Sequence, residues 1–393
     1  MMQLLRRLAA GLAREEKMMW SSIGLMVAAM LAAADPTPSA SSEAFQGWFT
    51  SAVAGSLKVP QGVSHEAKSF RYVFVEGFRN ERMPGYFAAN IAELKALGIP
   101  RDQIHVIDPS SRRTTAANAE EVRARFLEIA REGPERLVVI AHSRGACDAL
   151  AFALGDPAFV RDHVRALFLI QGPFGGSGLA GYLAGTGAGM DRQMKLKHRI
   201  MASLIARMAR AFTKDESMEV MEGMTPQASA AYWAKALDKD KATLAEVGSK
   251  TFFIRAAIHP SKQRFPRRAM AWYLQAYLGP NDGIVALEDQ SLPGFGTVLA
   301  TVEAGHSDLT CNSPTSRARK GDRRALTRSI VMAVGQEGSG LEPSIKVTKP
   351  GGGLDLREDP VPERKPGAQG RRRRNSRVPP AAGVGLADAG EHP

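Results

Sequence analysis

Ser143 stands in Ala141-His142-Ser143-Arg144-Gly145, between the apolar run Leu137-Val138-Val139-Ile140 and the small-residue stretch Ala146-Cys147-Asp148-Ala149-Leu150. A serine between small residues, where a buried strand gives way to a helix, is the sequence form of a nucleophile elbow, a strained turn that lifts the hydroxyl off the sheet. The flanking residues must be small because a larger side chain would strike the neighbouring strand or helix. The helix N-terminus beneath the serine favours developing negative charge. Five residues are also compatible with a plain strand-to-helix turn, so the partners and the surrounding elements decide.

A serine nucleophile needs a base, and the base needs an orienting acid. In the α/β-hydrolase arrangement, which this elbow resembles, the chain order is serine, acid, histidine. His65 and His105 precede the serine, His142 lies inside the elbow, and His392 sits in a tail without a core. His163 and His198 lack a preceding strand that could deliver an acid to the same sheet edge, and His259 comes before the best acid. His306 remains, in Gly305-His306-Ser307-Asp308, directly after the β-like run Thr297-Val298-Leu299-Ala300-Thr301-Val302. The matching acid is Asp282, in Asn281-Asp282-Gly283-Ile284-Val285, a turn aspartate one strand and one loop earlier. Glu288, Asp289 and Glu303 are rivals, each read more simply as a loop or strand-edge carboxylate. Glu303 and Asp308 also lie too close to His306 along the chain to approach its ring from below.

The elements that must position these residues alternate. Tyr72-Val73-Phe74-Val75, Ile104-His105-Val106-Ile107, the run at Leu137, and the runs 166–170 and 251–257 read as strands. Phe87, Ile91, Leu94 and Leu97 mark a helix closed by Gly98; Ala119, Val122, Phe126 and Ile129 mark another, stopped by Gly133-Pro134. Cys147, Leu150, Ala151 and Leu154 continue the elbow as a helix up to Gly155-Asp156-Pro157. The pattern predicts an α/β fold, a mostly parallel sheet with helices on both faces.

The elbow, the Asn-Asp-Gly-Ile-Val segment and the Gly-His-Ser-Asp segment together resemble the serine-hydrolase branch of the α/β-hydrolase superfamily, in particular its lipase- and esterase-like members, over roughly 71–309. The resemblance implies Ser143 as nucleophile, His306 as general base and later general acid, and Asp282 as the group that fixes the imidazole tautomer. It implies an oxyanion hole from the backbone N–H groups of Arg144 and Phe78. Where many members have His-Gly after the early strand, this chain has Glu76-Gly77, which leaves the backbone donor in place but puts the loop shape in doubt. Glu76 reads equally as a carboxylate paired with Arg79 or Arg82. The implied substrate is a small-molecule or lipid-like carboxylic ester, with no cofactor and no metal. The same triad serves amide, thioester or polyester cleavage or acyl transfer, and a hydrolase fold kept for binding alone is the non-enzymatic alternative.

The cluster 171–178, Gln-Gly-Pro-Phe-Gly-Gly-Ser-Gly, lacks the lysine-serine grammar of a phosphate loop and reads as a close-packed loop beside the site. A helical cap or lid insertion is expected at about 178–248, where Leu196, Ile200, Leu204 and Met208 form an amphipathic stripe with Met194, Met201, Met218, Met221 and Met224 nearby. That stripe reads either as core or as an adaptable acyl-binding surface. The hydrolase domain is expected at 66–335, after a linker and N-terminal extension at 35–65.

The ends differ from the middle. Residues 18–34 are mostly apolar, follow Arg6, Arg7, Arg14 and Lys17, and close on Ala32-Ala33-Ala34. Such a segment, 1–34, has the parts of a signal peptide or an N-terminal anchor, so the protein is expected to be exported (periplasmic or secreted) or membrane-anchored, with no export as the alternative. The 338–393 tail is rich in Gly, Pro and Arg and reads as disordered. Its basic run 371–374 offers contact to an anionic membrane surface or keeps the chain soluble, and no specific nucleic acid is expected. The chain has 393 residues, and its net charge of +12 bears on solubility and non-specific contacts. Its two cysteines, Cys147 and Cys311, have no metal-ligand spacing and read either as a disulfide or as two buried thiols.

Overall fold

The computed structural model describes residues 40–183, 218–264, 267–311 and 320–336. The expected signal or anchor segment, the 338–393 tail and the stripe 196–208 lie outside the described residues.

Six apolar runs form six strands: β1 (Phe70–Val75), β2 (Ile104–Ile107), β3 (Arg136–His142), β4 (Val164–Ile170), β5 (Thr251–Ala257) and β6 (Thr297–Glu303). They make one sheet in the order β2-β1-β3-β4-β5-β6, and every neighbouring pair is parallel. Parallel neighbours need a crossover for each connection, so helices cover both faces and central strands read as continuous apolar runs. β1 is buried at every position, whereas the edge strand β6 exposes Thr301 and Glu303.

Side-chain alternation divides the core in two. Tyr72, Phe74, Val138, Ile140, Phe168 and Ile170 point to one face, where Leu94, Leu326 and Ile330 from helices pack on them. Val73, Val75, Val139, Leu167 and Leu169 point to the other, against Val122, Phe126, Leu150 and Phe159. The helices of this second face are Thr115–Arg131, capped by Thr114 Oγ1 accepting from Ala117 N–H, and Arg144–Gly155.

The order of the strands sets the position of the site. From β1 the chain moves outward to β2, then returns to β3 and runs on to β6. Connections leave β1 and β3 in opposite directions, so a crevice opens between their carboxyl ends, the usual place for a ligand in such sheets. Register pairs Val75 with Ala141, which brings Glu76-Gly77 beside His142-Ser143.

The segment expected to be linker and extension contains the helix Ala40–Val53, which is part of the main core. Phe45, Trp48, Phe49 and Ala52 recur at helical spacing; Phe45 and Phe49 are buried, and Ser42 Oγ donates to Val298 O on β6 at 2.9 Å. The cluster of Pro and Ser residues before it hides this apolar stripe. Among the described residues no helix is long and apolar enough to cross a membrane.

Phe45 is fully buried, so Phe45→Ala is expected to lower unfolding free energy by about 3–5 kcal/mol in denaturant titration. A change below about 1 kcal/mol would show that the N-terminal helix is not integral to the fold.

Candidate active site

The turn after β3 is as tight as its sequence requires. Ser143 has φ 56 and ψ −132, a strained combination for a residue with a side chain. Ser143 N–H donates to Ile170 O at 2.9 Å, and Ala146 N–H to Ser143 O at 3.0 Å, so β4 and the first helical turn hold the strained residue. Gly145 has no room for a side chain: a Cβ there would lie 2.2 Å from Glu76 O. A Cβ on Gly77 would lie 2.8 Å from Ser143 Cβ and 2.9 Å from His142 O. Both glycines are close-approach residues, and they let the loop after β1 press against the elbow.

The three expected side chains meet. Ser143 Oγ is 2.8 Å from His306 Nε2, and His306 Nδ1 is 2.8 Å from Asp282 Oδ2. A carboxylate only accepts, so Nδ1 carries the hydrogen and Nε2 presents a lone pair to the serine hydroxyl. Asp282 is fully buried, and all its acceptor capacity is engaged. Its Oδ1 accepts from Ile284 N–H at 2.9 Å and Val285 N–H at 2.8 Å, and its Oδ2 also accepts from Gln171 Nε2 at 2.9 Å. Its own carbonyl accepts from His306 N–H at 2.9 Å, so Asp282 and His306 are joined through backbone as well as side chain.

The loop of His306 is braced from several directions. Gly305 N–H donates to Asp308 Oδ2 at 2.8 Å, and Arg267 Nη2 donates to Ser307 Oγ at 2.7 Å. Asp308 therefore shapes the loop from within. The other rival carboxylates lie elsewhere: Glu303 pairs with Lys262 at the surface, Glu288 is exposed, and Asp289 crowds Gly175. Burial, then the charge of Glu288, pushes the Asp289 carboxyl up to about 6.

Arg144 begins the helix Arg144–Gly155, where backbone N–H groups have no intrahelical acceptor. Phe78 follows Gly77, and its ring lies 5.9 Å from the Arg144 guanidinium. The side chains of the two expected oxyanion residues thus lie beside each other. Glu76 keeps company with other carboxylates: burial first, then Asp108 and Glu81, pushes its carboxyl up to about 7. Cys147 and Cys311 are buried free thiols, and burial raises both, Cys311 to about 11. Among the described residues no group of three or more His, Cys, Asp or Glu side chains is placed to hold a metal.

Sequence reasoning passed over Gln171 and Gln290. Gln290 Oε1 accepts from Ala256 N–H at 2.7 Å and its Nε2 donates to Ala256 O at 2.8 Å, which ties the acid loop to β5. A glutamine directly after the apolar end of β4 is the signal that could have flagged Gln171; Gln290 carries no such signal.

Gly145→Ala is expected to cost about 1–3 kcal/mol of stability because backbone must move. Gly155→Ala at the other end of the same helix meets nothing within 4 Å and should change stability by no more than about 1 kcal/mol, on the favourable side. Equal effects in denaturant titration would contradict the close approach. A second expectation concerns Glu76. Its folded carboxyl holds a proton up to about 7, against an ordinary value of 4.5, so stability is full below the lower value and falls as pH rises through that window. Glu76→Gln should therefore raise the unfolding midpoint more at pH 8 than at pH 5, and equal gains would contradict the burial account.

No family model matches the sequence, and no curated protein matches it. Solved structures do. A metagenomic carboxyl esterase aligns with TM-score 0.50 at 19% identity, over 71% of this chain and 78% of its own. A lipase of Bacillus licheniformis in its mature form aligns with TM-score 0.42 at 18% identity, over 60% and 84%. A phospholipase of Legionella pneumophila aligns with TM-score 0.36 at 16% identity, over 56% and 45%. With its six-stranded parallel sheet and the esterase likeness, the chain has the α/β-hydrolase fold.

Proposed function

We propose that the protein is a serine hydrolase that cleaves carboxylic esters. The observation that carries the reading is the continuous relay from Ser143 Oγ through His306 to Asp282, with both contacts at 2.8 Å. In this reading Ser143 Oγ attacks the ester carbonyl as its proton passes to His306 Nε2. The N–H groups of Arg144 and Phe78 receive the oxyanion, aided by the helix N-terminus. His306 then protonates the departing alcohol, leaving an acyl group on Ser143. A water deprotonated by the same Nε2 releases the acid and restores the enzyme. Asp282 holds the ring in the productive tautomer through its bond to Nδ1.

A cavity of about 250 Å³ flanks the nucleophile helix, between Arg144 and Cys147 on one side and Val220, Met224 and Trp233 on the other. In this reading the helices Met218–Gly223 and Pro226–Ala236 form the cap, and Val220, Met224 and Trp233 take the hydrophobic part of the ester. The cavity falls below the range of about 300–1,000 Å³ of drug-sized ligand sites, which supports short acyl chains. The basic and apolar composition of 1–34 supports export or N-terminal anchoring.

Hydrolysis of p-nitrophenyl esters tests this reading. The butyrate should exceed the palmitate in kcat/KM by about tenfold or more, and Ser143→Ala should lower kcat by about a thousandfold or more. Hydrolysis that survives in Ser143→Ala would remove the nucleophile, and a preference for the palmitate would remove the cavity as the acyl site.

A further inference from the structure

His142, which the elbow carries immediately before the nucleophile, does nothing in the reaction sequence above, yet its ring is buried and engaged on both nitrogens. Its Nε2 lies 2.6 Å from the carbonyl oxygen of His306, and its Nδ1 lies 2.5 Å from the Tyr86 hydroxyl. Tyr86 Oη in turn accepts from Gly77 N–H at 3.1 Å. One proton arrangement satisfies these three bonds together. A carbonyl only accepts, so His142 Nε2 carries the hydrogen; Nδ1 of the neutral ring is then a lone pair, and the Tyr86 hydroxyl donates to it.

From this geometry, and resting on the hydrolase reading, we propose that His142 is a positioning residue that locks the backbone of the catalytic histidine to the elbow and, through Tyr86, to the oxyanion loop. The run of bonds is Gly77 N–H to Tyr86 Oη, Tyr86 O–H to His142 Nδ1, and His142 Nε2–H to His306 O. It touches three loops of the site, the one after β1, the elbow after β3 and the one after β6, while the Asp282 turn holds His306 from its other side. Asp282 already holds His306 by its N–H and its ring. The bond from His142 fixes the carbonyl at the other end of the residue, so the imidazole has one seating relative to Ser143 Oγ.

The surroundings keep the ring neutral. Burial first, then His306 and Arg267, holds the His142 imidazole well below its ordinary range. Burial likewise holds the Tyr86 hydroxyl in its protonated form. A charged His142 would present a hydrogen on Nδ1, and Tyr86 could then no longer donate to it.

The test compares three variants by kcat, KM and thermal midpoint on a p-nitrophenyl ester, together with the imidazole nitrogen NMR of His306. His142→Leu removes both bonds, His142→Gln restores a donor near the Nε2 position, and Tyr86→Phe removes the hydroxyl alone. His142→Leu is expected to lower kcat about a hundredfold, the scale of an ångström of misplacement, with KM within about twofold. His142→Gln should recover about tenfold of that loss, and Tyr86→Phe should lose about tenfold. The His306 ring resonances should shift in His142→Leu and return toward wild type in His142→Gln. A kcat within about twofold of wild type in His142→Leu, a glutamine variant no better than leucine, or unmoved His306 resonances would overturn the proposal. If His142→Leu does not fold, the glutamine and phenylalanine variants decide by the same readings. Wild-type protein without ester hydrolysis would instead remove the hydrolase reading, and the His306 resonances would still judge the lock.

Discussion

Everything at this site depends on one close approach of backbone to backbone. The first turn of the helix after β3 presses so tightly on the end of β1 that position 145 can hold no side chain, Glu76 O lying where a Cβ would go. This contact, with Gly77 against Ser143 Cβ, forces the chain at Ser143 into positive φ and turns its hydroxyl outward from the sheet. Strain of this kind, of order 1–3 kcal/mol, persists only where surroundings over-determine it. Here the surroundings are the hydrogen bonds to Ile170 and Ala146 and two packed hydrophobic layers.

The polar part of the site follows from burial. A carboxylate with no exposed surface is tolerable only if its lone pairs are filled, and Asp282 fills them with two backbone N–H groups, a glutamine amide and the imidazole. The same donors fix the direction of Oδ2, and thereby the tautomer of His306. Orientation and desolvation are met by one set of bonds, so the imidazole need not be charged to be held.

The six strands and the helices after β1, β2 and β3 that carry regular apolar spacing were legible because a parallel sheet buried on both faces writes itself as apolar runs, while the helix Lys320–Gly335 that packs Leu326 and Ile330 on the sheet was not read from the sequence. The tight turn at Ser143 was legible because close approach demands small residues, and the meeting of Asp282 and His306 with it because the serine, acid, histidine order of the family the chain resembles set the other histidines aside. The helix Ala40–Val53 was obscured by the Pro- and Ser-rich residues before it, although Phe45, Trp48, Phe49 and Ala52 carry the right spacing. The supporting polar residues were illegible for a different reason. Gln171 meets its partner 111 residues away, and His142 meets the His306 carbonyl 164 residues away. A lone polar residue acquires such a role only when the fold supplies the partner. His142 was set aside as a base because it lies in the elbow, and the same location lets it reach the loop of the base.

The central claim is that Ser143 is a nucleophile activated by His306. Its most direct measurement is the mass of the peptide containing Ser143 after treatment with a p-nitrophenyl alkylphosphonate, whose tetrahedral phosphorus mimics the addition intermediate. The account predicts a stoichiometric alkylphosphonyl adduct on Ser143 with release of p-nitrophenol, formed at least about a hundredfold more slowly in His306→Ala. An unmodified Ser143, an adduct on another residue, or an unchanged rate without the imidazole would contradict it.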